Sequence, residues 1–164
     1  FGGNLLIDGI PIHTYNLYSL RSQTGIMLHQ QELFQGTILE NICMGNEQTS
    51  YHELDFLADL VGLRTFIHSK KEGYEFLIQP AGQHLSGRII KKILLMRALV
   101  QHPKLLLLEE PWQGMEPVYQ EKLQQFLLKY LADTTIIVVT NDQQFSSRCD
   151  KVFMLDKGTI TQII

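Results

Sequence analysis

Two adjacent glutamates follow a run of four leucines in the second half of the chain. The run Leu105 to Leu108 is apolar without interruption, which predicts a buried strand of a parallel sheet. Glu109 and Glu110 would then stand at the carboxyl end of that strand, where ligands bind in open α/β sheets. One carboxylate could face a cation while the other orients or deprotonates a water. The alternative is that both acids simply end a buried strand in solvent.

A short polar motif, His84-Leu85-Ser86-Gly87, precedes an amphipathic stretch that runs to about Val100. Ser86 is placed to cap a helix there, and the free backbone N–H groups at a helix start suit a phosphate. An ordinary helix cap is the alternative, since most Ser-Gly pairs before helices have no further role.

A third polar group, Thr140-Asn141-Asp142, closes the β-branched run 134–140. That run predicts a strand, whose carboxyl end would lie at the same sheet edge as the glutamate pair. Asn141 can donate and accept a hydrogen bond but cannot take up a charge near neutral pH. A turn followed by a helix cap is the alternative.

Hydrophobic periodicity indicates the elements that must position these groups. The predicted helices are at 15–22, 50–62, 86–100, 117–131 (with Tyr130 inward) and around Phe145, and the strands at 5–7, 24–28, 104–109, 134–140, 151–155 and 159–163. Thr37 and Ser50 are predicted N-caps, each with a glutamate three residues later. The segment 66–84 is predicted to be mostly loop. The strand–helix alternation in the second half predicts a parallel sheet. The strands at 151–155 and 159–163 are predicted to form a last hairpin around Asp156-Lys157-Gly158.

Composition favours one compact α/β domain. The chain has 164 residues, 45% of them hydrophobic, which suffices for one core but not for two ordinary ones. A net charge of −3 provides no field that would attract nucleic acid. Cys43 and Cys149 are interpreted as reduced core residues, with a disulfide as the alternative. The abrupt start at Phe1, with no apolar run long enough for a membrane span, predicts a soluble fragment of a longer protein.

Several runs occur in a family-specific order. They are Ile7-Asp8-Gly9, Leu33 to Ile38, Glu40-Asn41-Ile42, Leu85-Ser86-Gly87, Arg97-Ala98-Leu99, LLLLEEP at 105–111 and Asp150 to Gly158. In this order and spacing the chain resembles, along nearly its whole length, the ATPase domain of ATP-binding cassette (ABC) transporters of the exporter type. The resemblance implies a partial ABC-type P-loop ATPase fold, a mostly parallel sheet with a helical subdomain. The single domain at 1–164 would comprise that subdomain at about 37–101 and a Walker B and sheet half at about 102–164.

The resemblance also implies roles for the acidic residues. In that family two cassettes sandwich two ATP molecules, and each site takes its signature motif from the other cassette. By position, Glu110 matches the catalytic glutamate that polarises the attacking water. Glu109 stands where an aspartate reaches Mg²⁺ through water, and Glu116 stands at the aspartate of the following D-loop.

The chain departs from the family at other nucleotide-contacting positions. His29 aligns with the Q-loop glutamine, with Gln30 and Gln31 just after it. Asn141 occupies the position of the switch histidine that contacts the γ-phosphate. Because these groups differ from those of the family, their contacts with nucleotide are expected to be weakened.

The signature motif is altered as well. Ser86 and Gly87 are kept, but Arg88 replaces a glycine and Ile89 a glutamine, and Pro80 replaces a glutamate in the preceding loop. The side chain of Arg88 would crowd the backbone near the γ-phosphate, although its cation suits phosphate.

The phosphate-binding motif G-x-x-x-x-G-K-[ST] does not occur in the sequence. In the family it lies before the strand at Leu5, and it supplies the backbone cradle and the lysine that hold the phosphates. Either a parent protein carries it upstream of Phe1 or this is a non-binding relic. The position of Phe1, near the expected end of the helix after that loop, favours truncation.

Three functions remain open at this level. The first is part of an exporter's nucleotide-binding domain at the cytoplasmic face of a membrane, with a transmembrane domain and a second ABC ATPase domain as partners. ATP and Mg²⁺ would serve the parent, and the chain alone is expected to bind ATP poorly or not at all. The second is a degenerate, non-catalytic cassette acting as a dimer partner. The third is an unrelated α/β enzyme holding a metal with Glu109 and Glu110.

Overall fold

The computed structural model of the chain describes residues 3–46, 49–129, 131 and 133–164. The strands are β1 Leu6–Ile7, β2 Ile10–Pro11, β3 Thr24–Met27, β4 Gly36–Thr37, β5 Leu77–Ile78, β6 Leu105–Glu109, β7 Thr135–Val139, β8 Phe153–Asp156 and β9 Thr159–Gln162. The α-helices are α1 Leu17–Ser22, α2 Ile38–Cys43, α3 Tyr51–Val61, α4 Arg64–His68, α5 Gly87–Leu99, α6 Pro117–Lys129 and α7 Gln143–Ser146. Among these described helices none is both long and apolar enough to cross a bilayer.

The leucine run forms the central strand of a parallel sheet with the order β3-β6-β7. Leu106 and Leu108 are buried on one face, and Leu105 and Leu107 are half-buried on the other. Glu109 lies opposite Val139 in the register of β6 and β7. The predicted strand is confirmed, and its carboxyl end brings the glutamate pair beside the end of β7.

The hairpin predicted at the end of the chain is confirmed. β8 pairs antiparallel with β9, so that Asp156 and Thr159 face each other across a tight turn. Lys157 and Gly158 in that turn both have positive φ, which suits a two-residue hairpin. The third strand of the parallel sheet is β3, from the first half.

Helices α2, α3 and α5 pack together, and α5 also contacts β3. Their buried side chains, such as Ile42, Val61 and Leu95, form one continuous cluster with Leu106 of the sheet and Leu123 of α6. The helical stretch at 37–101 thus shares its core with the sheet. The division of the chain at about residue 101 stays a prediction.

The helix caps follow the sequence in part. Thr37 and Glu40 form the predicted capping box at the start of α2. Ser50 caps α3 by accepting from the N–H of Glu53. The Glu53 carboxylate contacts His102 instead of completing a capping box, with 2.6 Å between Oε1 and Nε2. Gly62 ends α3 with a left-handed backbone, φ 71°.

Three further predictions, for the segment 66–84, the cysteines and Tyr130, have different outcomes. The segment 66–84 is more ordered than predicted, because α4 enters it and β5 pairs antiparallel with β4. Cys43 is buried and Cys149 half-buried, and both are free thiols, as predicted. Tyr130, predicted to face inward from α6, lies outside the described residues.

Candidate nucleotide site

Glu110 accepts three hydrogen bonds from the residues that follow β7. The hydroxyl of Thr140 donates to Glu110 Oε2 over 3.1 Å. The backbone N–H and the side-chain Nδ2 of Asn141 both donate to Glu110 Oε1, each over 3.1 Å. The two polar groups predicted to share a sheet edge are therefore in direct contact, and both carboxylate oxygens of Glu110 have donors.

The backbone of Glu110 is held in an uncommon conformation. Its φ is +43°, in the left-handed region that side-chain-bearing residues seldom adopt. The Glu110 N–H donates to the carbonyl of Val139 over 2.8 Å, which extends the β6–β7 ladder by one residue. Such strain persists where surrounding bonds impose it, and it is concentrated at functional sites.

Glu109 points toward the loop after β3. Its Oε2 accepts the backbone N–H of His29 over 2.9 Å. His29, Gly87 and Glu109 line one cleft of about 150 Å³, completed by Met27, Leu28, Gln31, Ile90, Lys91 and Leu94. The cleft thus brings together His29 and Glu109 of the predicted site with Gly87, which the resemblance assigns to the site of the other cassette. Gln30 is exposed in the same loop, where Gln31 accepts from the N–H of Leu28 over 3.1 Å.

The start of α5 follows the predicted cap. Ser86 Oγ accepts the N–H of Ile89 over 3.3 Å, and both Ser86 and Gly87 are exposed. The side chain of Arg88 lies beside Gly114, because a Cβ added there would be 3.8 Å from Arg88 Nε. Arg88, which was predicted to crowd a phosphate, lies against the segment before α6 of the same chain.

Glu116 lies apart from the glutamate pair and contacts α5. Its Oε2 accepts from Lys92 Nζ over 2.8 Å. This hydrogen bond holds the pKa of the Glu116 carboxyl below its ordinary value. The sequence did not single out Lys92, although its spacing from the buried Met96 and Leu99 on α5 places it on the apolar face.

Asp142 anchors the segment that carries Asn141. Its side chain caps α7 by accepting from the N–H of Phe145, and it also accepts from Gln120 and Gln124 of α6. The bond from Phe145 is the largest cause of the lowered pKa of Asp142. The two glutamines are spaced four residues apart, which places them on one helix face, but nothing in the sequence identified their partner.

The described residues contain no group of three His, Cys, Asp or Glu side chains that could hold a metal ion. Mg²⁺ needs few protein carboxylates where substrate phosphates complete its shell, so Glu109 fits such a role only with ligands from elsewhere. This arrangement gives no support to a metal centre built by Glu109 and Glu110 alone.

Comparison with known proteins shows which proteins this chain is similar to. The sequence model of the family described as "ABC transporter" matches residues 2–113. The uncharacterized ABC transporter ATP-binding protein YknV of Bacillus subtilis (strain 168) is 34% identical over 157 residues, 96% of this chain and 26% of its own length. The alpha-hemolysin translocation ATP-binding protein HlyB of Escherichia coli is 28% identical over 160 residues, 98% of this chain and 23% of its own length.

A solved structure agrees with these sequence matches. A bacterial Atm1-family ABC exporter with ATP bound superposes with a TM-score of 0.85 at 26% identity, over 96% of this chain and 28% of the exporter chain. The predicted ABC ATPase fold is therefore confirmed. The chain spans about a quarter of the length of each of these three proteins.

Proposed function

Because this chain belongs to the ABC transporter family, we propose that it forms part of the nucleotide-binding domain of an exporter. The whole protein would couple ATP binding and hydrolysis to transport, with this domain at the cytoplasmic face of the membrane. The observation that carries the proposal is the position of Glu110 at the carboxyl end of β6, next to the end of β7. Ligands of open α/β sheets bind at that edge.

Each predicted site residue has a role in this proposal. Glu110 would orient the attacking water, and Asn141 would fix the carboxylate of Glu110. Glu109 would approach Mg²⁺, while His29 and Gln30 belong to the loop beside it. The remaining residues, Ser86, Gly87, Arg88 and Glu116, would face the second cassette. Mg-ATP would supply the phosphoryl chemistry, and the partners would be a transmembrane domain and a second ABC ATPase domain.

Turnover of the full-length protein that contains this sequence tests the proposal. Glu110→Gln keeps the size of the side chain and can still accept hydrogen bonds, but it removes the charge. We expect ATP turnover to fall about 100-fold, the scale of a lost general base. Gln144→Ala, an exposed change on α7, should leave turnover unchanged. Equal turnover in the wild type and Glu110→Gln would contradict a catalytic role for Glu110.

The contacts of Glu110 favour a second function, that of a non-catalytic cassette acting as a dimer partner. Asn141 donates twice to Glu110 Oε1, and Thr140 donates to Oε2. A carboxylate with donors on both oxygens is held in place, and Asn141 cannot exchange a proton near neutral pH. Such an arrangement supports a structural role as readily as a catalytic one.

Restoration of the family residues distinguishes the two functions. The double variant Asn141→His with Arg88→Gly in the full-length protein should raise ATP turnover if the cassette is weakened only at these contacts. No gain, with ATP binding intact, would favour the dimer-partner function. The upstream sequence gives independent evidence, because an intact G-x-x-x-x-G-K-[ST] favours the first function and a decayed one the second.

A further inference from the structure

A buried lysine connects three helices beside the proposed site. Lys92 of α5 is 5% exposed, and its Nζ donates to the carbonyl of Gly62 over 3.1 Å and to Glu116 over 2.8 Å. The same Nζ lies 5.3 Å from the centre of the Tyr119 ring. One cation thus contacts the end of α3, the residue before α6 and the first turn of α6.

The surroundings of Lys92 are closely packed. A Cβ added at Gly62 would lie 2.4 Å from the Tyr119 ring, so the ring lies directly against the backbone that ends α3. The left-handed backbone of Gly62 turns its carbonyl toward Lys92. Burial of an ammonium group is costly unless it is paired, so these partners are needed to keep Lys92 inside.

Lys92 is connected to Glu110 at the sheet edge through Glu116 and the backbone segment 110–116. Glu110 begins a tight segment in which the Gln113 N–H donates to the Glu110 carbonyl and the Met115 N–H to the Trp112 carbonyl. Trp112 is buried, with its ring centre 4.6 Å from that of Phe145. The segment 110–116 is therefore fixed at its start by Thr140 and Asn141, in its middle by Trp112 and at its end by Lys92.

We propose that Lys92 is a positioning residue: by binding Glu116 it holds the segment 110–116, and with it Glu110, against helices α3 and α5. The effect of Lys92 on ATP turnover rests on the proposed function, whereas the Lys92–Glu116 hydrogen bond, called the tether below, does not. Lys92 is too buried to be a direct nucleotide ligand, and it acts through Glu116. The matched cation for comparison is Lys122, which lies 5.6 Å from the same Tyr119 ring but is exposed.

Hydrogen exchange in the full-length protein, read on peptides that cover 110–116, tests the tether. Lys92→Met should raise exchange of this segment about tenfold, because the loss of a charged hydrogen bond makes local opening easier. Lys92→Arg should restore protection, and Lys122→Met should match the wild type. Glu116→Gln, a change at a half-exposed side chain, should reproduce the effect without adding to that of Lys92→Met.

Two exchange results would overturn the inference. One is unchanged exchange at 110–116 in both Lys92→Met and Glu116→Gln. The other is an equal rise in peptides of α2, which would indicate general loosening rather than a lost tether.

ATP turnover gives a second measurement with a separate meaning. Lys92→Met should lower kcat about tenfold with KM for ATP changed less than about twofold, since Lys92 acts on Glu110 and not on the nucleotide. Rescue of kcat by Lys92→Arg supports positioning, and an equal loss in Lys122→Met contradicts it. A wild-type protein without turnover would contradict the proposed catalytic function, and hydrogen exchange would then decide the role of Lys92.

Discussion

The side-chain amide of Asn141 lies 3.1 Å from Glu110 Oε1, with its nitrogen as the donor. The same carboxylate oxygen also accepts the Asn141 backbone N–H. A change at Asn141 therefore acts on Glu110 even when no nucleotide is present.

The first prediction concerns this contact. Asn141→Ala should lower the free energy of unfolding by about 1 kcal/mol, because it removes a hydrogen bond to a charged group. A double-mutant cycle with Glu110→Ala should give a coupling of at least about 0.5 kcal/mol in urea unfolding of the chain. Additive effects of the two substitutions in that cycle would show that the contact contributes nothing to stability. Gln144→Ala serves as the surface control.

The second prediction concerns Asn41, a fully buried side chain in the predicted motif Glu40-Asn41-Ile42. Its Oδ1 accepts from Phe34 N–H and from Arg97, and its Nδ2 donates to the carbonyls of Phe34 and Thr37. Asn41→Ala should destabilise the chain by about 3 kcal/mol, since it removes the partner of Arg97 Nη2 and leaves backbone groups of Phe34 and Thr37 unpaired in the interior.

Urea unfolding measures this loss, with exposed Gln35→Ala as the control. Burial lowers the pKa of Arg97, consistent with a guanidinium that depends on its partners. A loss below about 1 kcal/mol in Asn41→Ala would mean that Asn41 is not the main anchor of Arg97.

The third prediction is a pH dependence. Hydrogen bonds from Phe145 N–H, Gln124 and Gln120 hold the pKa of Asp142 below its ordinary value of 3.8. Because the pKa of Asp142 is lower in the folded chain than in the unfolded one, the ionised carboxylate stabilises the fold at any pH above 3.8. This stabilisation is lost as the pH falls from 3.8 through the lower pKa of the folded state.

The difference in unfolding free energy between wild type and Asp142→Asn should therefore be largest near neutral pH and shrink on acidification through that window. Urea unfolding at a series of pH values measures it. A difference that stays constant across the window would contradict the shift.

The fourth prediction compares two glycines. A Cβ at Gly25 in β3 would lie 2.1 Å from the carbonyl oxygen of Ala98, a backbone atom that cannot move aside freely. Gly25→Ala should destabilise the chain by about 3 kcal/mol or more. Gly87→Ala meets no atom within 4 Å and lies in α5, so stability should stay equal or rise by up to about 1 kcal/mol. Similar unfolding midpoints for both variants would contradict the close approach of β3 and α5.

Elements whose signals are local were predictable from the sequence. The unbroken leucine run specified β6, and the Thr37–Glu40 pair specified its own capping box, because each depends on neighbouring residues. The sheet was harder, since pairing is decided between distant segments. The sheet takes its third strand, β3, from the first half of the chain, whereas the predicted hairpin of β8 and β9 depends only on a tight turn.

The site was predictable in its position but not in its contacts. The carboxyl ends of parallel strands meet, so Glu110 and Asn141 could be expected at one edge. The bond from His29 N–H to Glu109 and the burial of Lys92 arise from several elements packing together. A lysine in a helix is ordinarily interpreted as exposed, and only its spacing from apolar residues indicated otherwise.

Binding of Mg-ATP to the full-length protein, compared with binding to the 164-residue chain alone at equal concentration, tests the central claim most directly. We expect saturable binding to the full-length protein and little or none to the chain alone, because the chain lacks G-x-x-x-x-G-K-[ST]. Absence of binding to the full-length protein would contradict the assignment to a nucleotide-binding domain. Equal, tight binding by the 164-residue chain would contradict the requirement for residues outside it.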